Sequence, residues 1–88
     1  MRLYIFRSED QLVKLKIDRT HKKFEIATTL TNYRFIPQPY WKLFGDDMGD
    51  KEKAIKEMEE MELLQDTEFD HKLIEAFAKR GYTLITRR

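Results

Sequence analysis

The chain of 88 residues has no cysteine, two prolines and three glycines, and each shortage removes a class of structure. Without cysteine there is no disulfide framework, no thiolate metal site and no thiol nucleophile, so apolar packing has to hold the core unaided. A reducing cytoplasm suits such a chain. With so few glycines there is no glycine-rich phosphate loop, and neither a nucleophile elbow nor a metalloprotease helix occurs. No stretch approaches the roughly 20 apolar residues of a membrane span. Met1 to Phe6 runs straight into an apolar alternation instead of a signal-peptide pattern, so a cytoplasmic protein without membrane association is expected.

Charge, by contrast, is plentiful: 38% of the residues are Asp, Glu, Lys or Arg, against roughly 25% in an average globular domain. The surface must be densely charged. The hydrophobic fraction of 41% is ordinary for a folded protein, and the length suits one core, burying roughly 60 to 65% of the surface that the unfolded chain exposes. Residues 1–88 therefore read as a single domain.

Bulky residues at Leu3, Tyr4, Ile5 and Phe6 put apolar groups on both faces of a short first strand, and the sequence leaves open which pair is buried. From Leu12 the pattern has period two, with Val13, Leu15 and Ile17 on one side and Lys14, Lys16 and Asp18 on the other. After a polar turn, Phe24, Ile26 and Thr28 alternate with Lys23, Glu25 and Ala27, which predicts a third strand in an antiparallel meander. Tyr33, Phe35, Tyr40, Trp41 and Phe44 then place five of the eleven aromatics within twelve residues. Pro37 and Pro39 forbid a central strand there, and Pro39 suits the start of a short helical turn that Gly45 would end. Asp50 caps an expected helix from Lys51 to about Leu63, with Ala54, Ile55, Met58 and Met61 along one stripe. Asp66 or Thr67 would cap a second helix with Phe69, Leu73, Ile74, Ala76 and Phe77 on its apolar face. Gly81 stands where a left-handed C-terminal cap belongs, and Tyr82 to Thr86 reads as a last strand. The expected class is α+β, in the order βββ(short α)ααβ: a small antiparallel sheet, made of an N-terminal three-stranded meander plus a C-terminal strand, packed on two main helices.

Charge is also segregated along the chain. Residues 1–45 carry nine Lys or Arg against four Asp or Glu, residues 46–70 three against eleven, and residues 71–88 five against one. An acidic loop and helix thus lie between basic flanks, and their local fields matter although the net charge is only +1.

Two binding readings follow. In the first, Asp46, Asp47, Glu57, Glu59 and Glu60 present negative charge to a protein partner with a basic, nucleic-acid-binding groove, and Tyr40 and Trp41 beside the prolines serve as anchors. Such compactness and acidity are shared by small phage or mobile-element proteins that block host enzymes acting on nucleic acid, restriction and CRISPR effectors among them, and by many other proteins. In the second, Lys14, Lys16 and Lys23 share a sheet face with Arg19 and Lys22 at one end, and bind nucleic acid. Tyr4 and Phe6 would interleave with these cations if they faced outward.

Against both stands a plainer account, in which the acidic helix face and the lysines are solvated surface and Tyr33, Phe35, Trp41 and Phe44 cover the end of the core. Asp46, Asp47 and Asp50 do not follow a calcium-loop spacing, and His21 and His71 have no partner at ligand spacing. No metal or cofactor is expected. Glutamates on a solvated helix face do not supply an acid and a base in unlike environments, so the expected protein is not an enzyme.

Overall fold

Alternation starting at Leu12 sets the architecture, because a strand with one apolar and one charged side has to be covered on one face only. In a computed structural model, which describes residues 1–44 and 51–88, strands β1 (Arg2–Arg7), β2 (Leu12–Asp18), β3 (Lys23–Ala27), β4 (Ile36–Gln38) and β5 (Thr83–Arg87) accompany helices α1 (Lys51–Glu62) and α2 (Asp66–Lys79). Two short 3-10 turns, Thr29–Thr31 and Tyr40–Leu43, flank β4. The strands form one antiparallel sheet in the order β4-β3-β2-β1-β5. This is the expected α+β class, with a fifth strand added. The extra strand carries Pro37 and sits at the sheet edge, where a missing N–H costs no ladder hydrogen bond.

Register lines up the apolar rows. Tyr4 pairs with Leu15 and Leu15 with Ile26, Phe6 with Val13, and Ile17 with Phe24. Tyr4, Phe6, Val13, Leu15, Ile17 and Phe24 are buried, and they pack with Leu43, Met58, Met61, Phe69, Leu73 and Phe77 in one core. The question left open for β1 is thereby decided: Tyr4 and Phe6 face the helices, and Leu3 and Ile5 are half-buried on the opposite face. The arrangement in which Tyr4 and Phe6 face outward among the lysines does not occur. Phe6 instead stacks on Phe77 with ring centroids 4.4 Å apart.

Helix termini follow local chemistry in part. At the end of α2, Gly81 adopts φ +86°, the Gly81 N–H donates to the Ala78 carbonyl (3.0 Å), and the Tyr82 N–H donates to that of Phe77 (2.9 Å). That pair of bonds, with Tyr82 packed edge-on against Phe77, makes a Schellman cap with its hydrophobic contact. The start of α2 differs from expectation. Gln65 occupies the N-cap without a side-chain cap bond, because the Asp66 carboxylate is taken by Arg19 and Arg2 and does not fold back onto the helix. The predicted cap of α1, Asp50, lies outside the described residues, as do Gly45, Asp46 and Asp47. No described helix is long and apolar enough to cross a membrane.

Candidate functional site

Two groups of side chains fall at opposite faces of the sheet, and they differ in what holds them. The first lies under α2. Asp70 is 1% exposed within the apolar stripe of α2, and its carboxylate accepts from Arg2 Nη1 (2.8 Å), from the Tyr4 hydroxyl and from Arg87 Nη1. Arg87 reaches it because β5 bulges. Ile5 pairs with Thr86 but Phe6 with Leu84, so Ile85 is supernumerary and Leu84 and Arg87 come to the same face. Arg19 completes the cluster: Nη1 meets Asp66 Oδ1 at 2.6 Å, and Nη2 donates to the Leu64 carbonyl at 2.8 Å. Its guanidinium lies 4.2 Å from the Phe69 ring centroid. Arg19 thus satisfies a carbonyl that the end of α1 leaves free and ties it to the start of α2. Burial, and then the bond to Asp70, push the Tyr4 pKa up. Every charge in the cluster is answered within it, so the cluster fastens the helices to the sheet.

The second group is on the opposite, outer face. Alternation along β1, β2 and β3 puts Arg7, Lys14, Lys16 and Lys23 there, opposite Phe6, Leu15 and Phe24. After β3 the chain turns through Thr29–Thr31, and Asn32 and Tyr33 both take left-handed backbone, with φ of 53° and 58°. This turn carries the next aromatics across the outer face. Lys14 Nζ lies 5.4 Å from the Tyr33 ring centroid, and Lys16 Nζ lies 4.1 Å from that of Phe35. Tyr33 is 44% and Ile85 53% exposed, and both line a shallow depression of about 420 Å³ with Arg7, Leu12 and the acidic Glu9 and Asp10. The result is a face on which Lys14 and Lys16 lie against aromatic rings, with two carboxylates among the cations, Glu25 across from Lys16 and Asp18 across from Lys23.

Of the five cations expected to act together, Lys14, Lys16 and Lys23 share this face. Arg19 is turned to the helices, and Lys22 reaches Glu62 at 3.4 Å. Lys22 also has φ 53° in the turn where His21 bonds Asp18 through Nδ1 at 2.7 Å, an exposed contact that holds the Asp18 carboxyl below its usual range.

The acidic set is less coherent. Glu57, Glu59 and Glu60 are exposed on α1, but Glu57 and Glu60 border a groove that also contains Lys72 and Lys79 of α2 and Arg80 just after it. The acidic face is therefore interrupted by cations. Tyr40 packs against the core, whereas Trp41 is half-buried outside it, with Lys42 Nζ and Lys51 Nζ 5.7 and 5.5 Å from its ring. Phe44 meets Phe69 edge-on at 5.7 Å and does cover the core end; Tyr33 and Phe35 do not. Among the described residues, no group of three or more His, Asp or Glu is placed to hold a metal ion.

Tyr33 and Phe35 were missed as site residues because they lie in an irregular segment, where no periodicity assigns a face. The one local signal is Asn32, a residue that tolerates left-handed backbone and favours turns. Comparisons with protein-family models, curated proteins and solved structures find no match, so the chemistry of this face is read from its own geometry.

Proposed function

We propose that the protein is a non-catalytic binding module of the cytoplasm that holds nucleic acid on the outer face of its sheet. The observation supporting this reading is the pairing of Lys14 with Tyr33 and of Lys16 with Phe35 on the face turned away from the helices. Lysine ammoniums neutralise phosphates, and aromatic rings on an open sheet offer surfaces to bases. A second copy of the chain is a poorer occupant, since face-to-face packing across a two-fold axis would bring Lys14 and Lys16 toward their own counterparts.

Joint replacement of Lys14, Lys16 and Lys23 by Ala should abolish binding of labelled DNA and RNA, and partial variants should bind with a shallower dependence on salt. Reversing Glu57, Glu59 and Glu60 to Lys should leave binding unchanged or tighter. Full retention of binding by the triple variant would reject the reading.

A second reading is favoured by Trp41, a half-exposed indole outside the core. Here the ligand is a protein with a basic groove, contacted by Glu57, Glu59, Glu60 and Trp41, and the module inhibits a host enzyme acting on nucleic acid, as phage or mobile-element proteins do. It predicts the converse: the glutamate reversal and Trp41→Ala abolish capture of a protein from nuclease-treated lysate, and the lysine variant does not.

A further inference from the structure

Left-handed backbone is common for Asn but an outlier for a bulky aromatic residue, and Tyr33 holds it directly after Asn32. The turn is heavily determined. The Thr28 carbonyl accepts from the N–H groups of Thr31 (3.1 Å) and Tyr33 (2.9 Å), and the Thr29 carbonyl accepts from that of Asn32 (3.1 Å). The Thr31 hydroxyl oxygen accepts from the Thr28 N–H at 3.0 Å and lies 2.9 Å from the Arg34 carbonyl. The Tyr33 hydroxyl lies 3.3 Å from Thr29 Oγ1. All this order positions a ring that the core does not use, since Tyr33 belongs to no buried cluster. Unfavourable backbone that the surroundings over-determine is typical of sites that hold a ligand.

Resting on the reading of the outer face as a nucleic-acid surface, we infer that its ligand is single-stranded and that Tyr33 is the residue on which an unpaired base stacks. Lys14, against that ring, and Lys16, against Phe35, are two residues apart on β2, roughly 6.8 Å along the strand. That spans about two base rises of a stacked strand at ~3.4 Å each, so both ammoniums reach phosphates of the same short segment. A duplex hides its base faces within the stack and cannot use the ring. Stacking is tolerant of sequence, because every base has a π-face, so mixed sequences bind alike.

The test uses labelled single strands of mixed sequence and the matching duplex, titrated with the full chain at several salt concentrations. Tyr33→Leu should weaken single-strand binding roughly 5- to 150-fold with the salt slope unchanged, because no phosphate contact is lost. Tyr33→Phe should bind within about twofold of the original chain, the stacking face being kept. Lys14→Ala with Lys16→Ala should reduce the slope by about 1.4, at ~0.7 per phosphate. If the leucine variant does not fold, single strands carrying 4-thiouridine should photocrosslink to Tyr33 in the original chain, and crosslinks confined to other surfaces would overturn the assignment. Equal binding by the original chain and Tyr33→Leu rejects the stacking role but leaves the open-face reading standing. Tighter binding of the duplex rejects the single-strand claim, and binding to neither ligand rejects the reading of the face itself.

Discussion

The inner and outer faces of this sheet are made by the same three N-terminal strands, yet they follow opposite rules. On the inner face, Tyr4, Phe6, Leu15 and Ile17 meet two helices, and the charges that enter, Asp70 and the arginines around it, are mutually satisfied. On the outer face, lysines are set against aromatic rings without a helix layer above them, and Tyr33 and Ile85 remain exposed. Stability therefore concentrates on one side, and the binding proposed for this protein on the other. Substitutions inside should act on folding and those outside on ligands.

The largest effect expected is inside. Phe77→Ala removes a buried ring stacked on Phe6 and should cost about 3 to 5 kcal/mol, measured by denaturant unfolding. A cost below about 1 kcal/mol would mean that α2 is not fastened where the core places it.

Asp70→Asn should come next, at about 1.5 to 3 kcal/mol, the range for a hydrogen bond to a charged group. The half-exposed Arg2 and Arg87 regain water, which keeps the loss from being larger. Tyr4→Phe removes one donor to the same carboxylate and adds a pH test. The folded state raises the Tyr4 pKa above its usual 10.0, so it keeps a proton that the unfolded chain releases. That contribution is complete below pH about 10 and is lost as pH rises beyond it. Melts of the Tyr4→Phe protein should show a weaker alkaline decline than the original, and parallel declines would assign the effect to other groups.

Gly81→Ala isolates a purely conformational cost. Nothing lies within 4 Å of an added Cβ, so the positive φ alone should cost about 1 to 2 kcal/mol, seen as a lower melting temperature. The smallest stability effect belongs to the outer face. Lys14→Ala and Lys16→Ala each lose a half-buried cation–π contact and should cost about 0.5 to 1 kcal/mol, and the contrast between the faces sharpens if these same changes dominate the binding titrations.

Much of the inner face was legible in advance. The period-two run from Val13 to Ile17 assigned its own sides, and the stripe Phe69, Leu73 and Phe77 marked the face of α2, because regular elements repeat their geometry and sequence records the repeat. Asp70 left a mark too, as a carboxylate inside that stripe, but its partners are residues 2, 4 and 87, and no local pattern reveals them. For Arg19 the sequence suggested a place at the end of the lysine face, and only the proximity of the α1 C-terminus, the α2 N-terminus and Phe69 explains where it lies.

By itself the sequence determined the class of the domain, the order of its two helices and of every strand but β4, and the left-handed cap at Gly81, since these depend on spacing, propensity and the freedom of single backbone positions. The tertiary structure decided which side of β1 is buried, where Arg87 points after the bulge at Ile85, and that Tyr33 and Phe35 cross to the lysine face instead of covering the core end. Those outcomes depend on contacts between residues distant in sequence and on a turn whose two left-handed residues are stabilised by hydrogen bonds within it, and neither leaves a periodic trace along the chain.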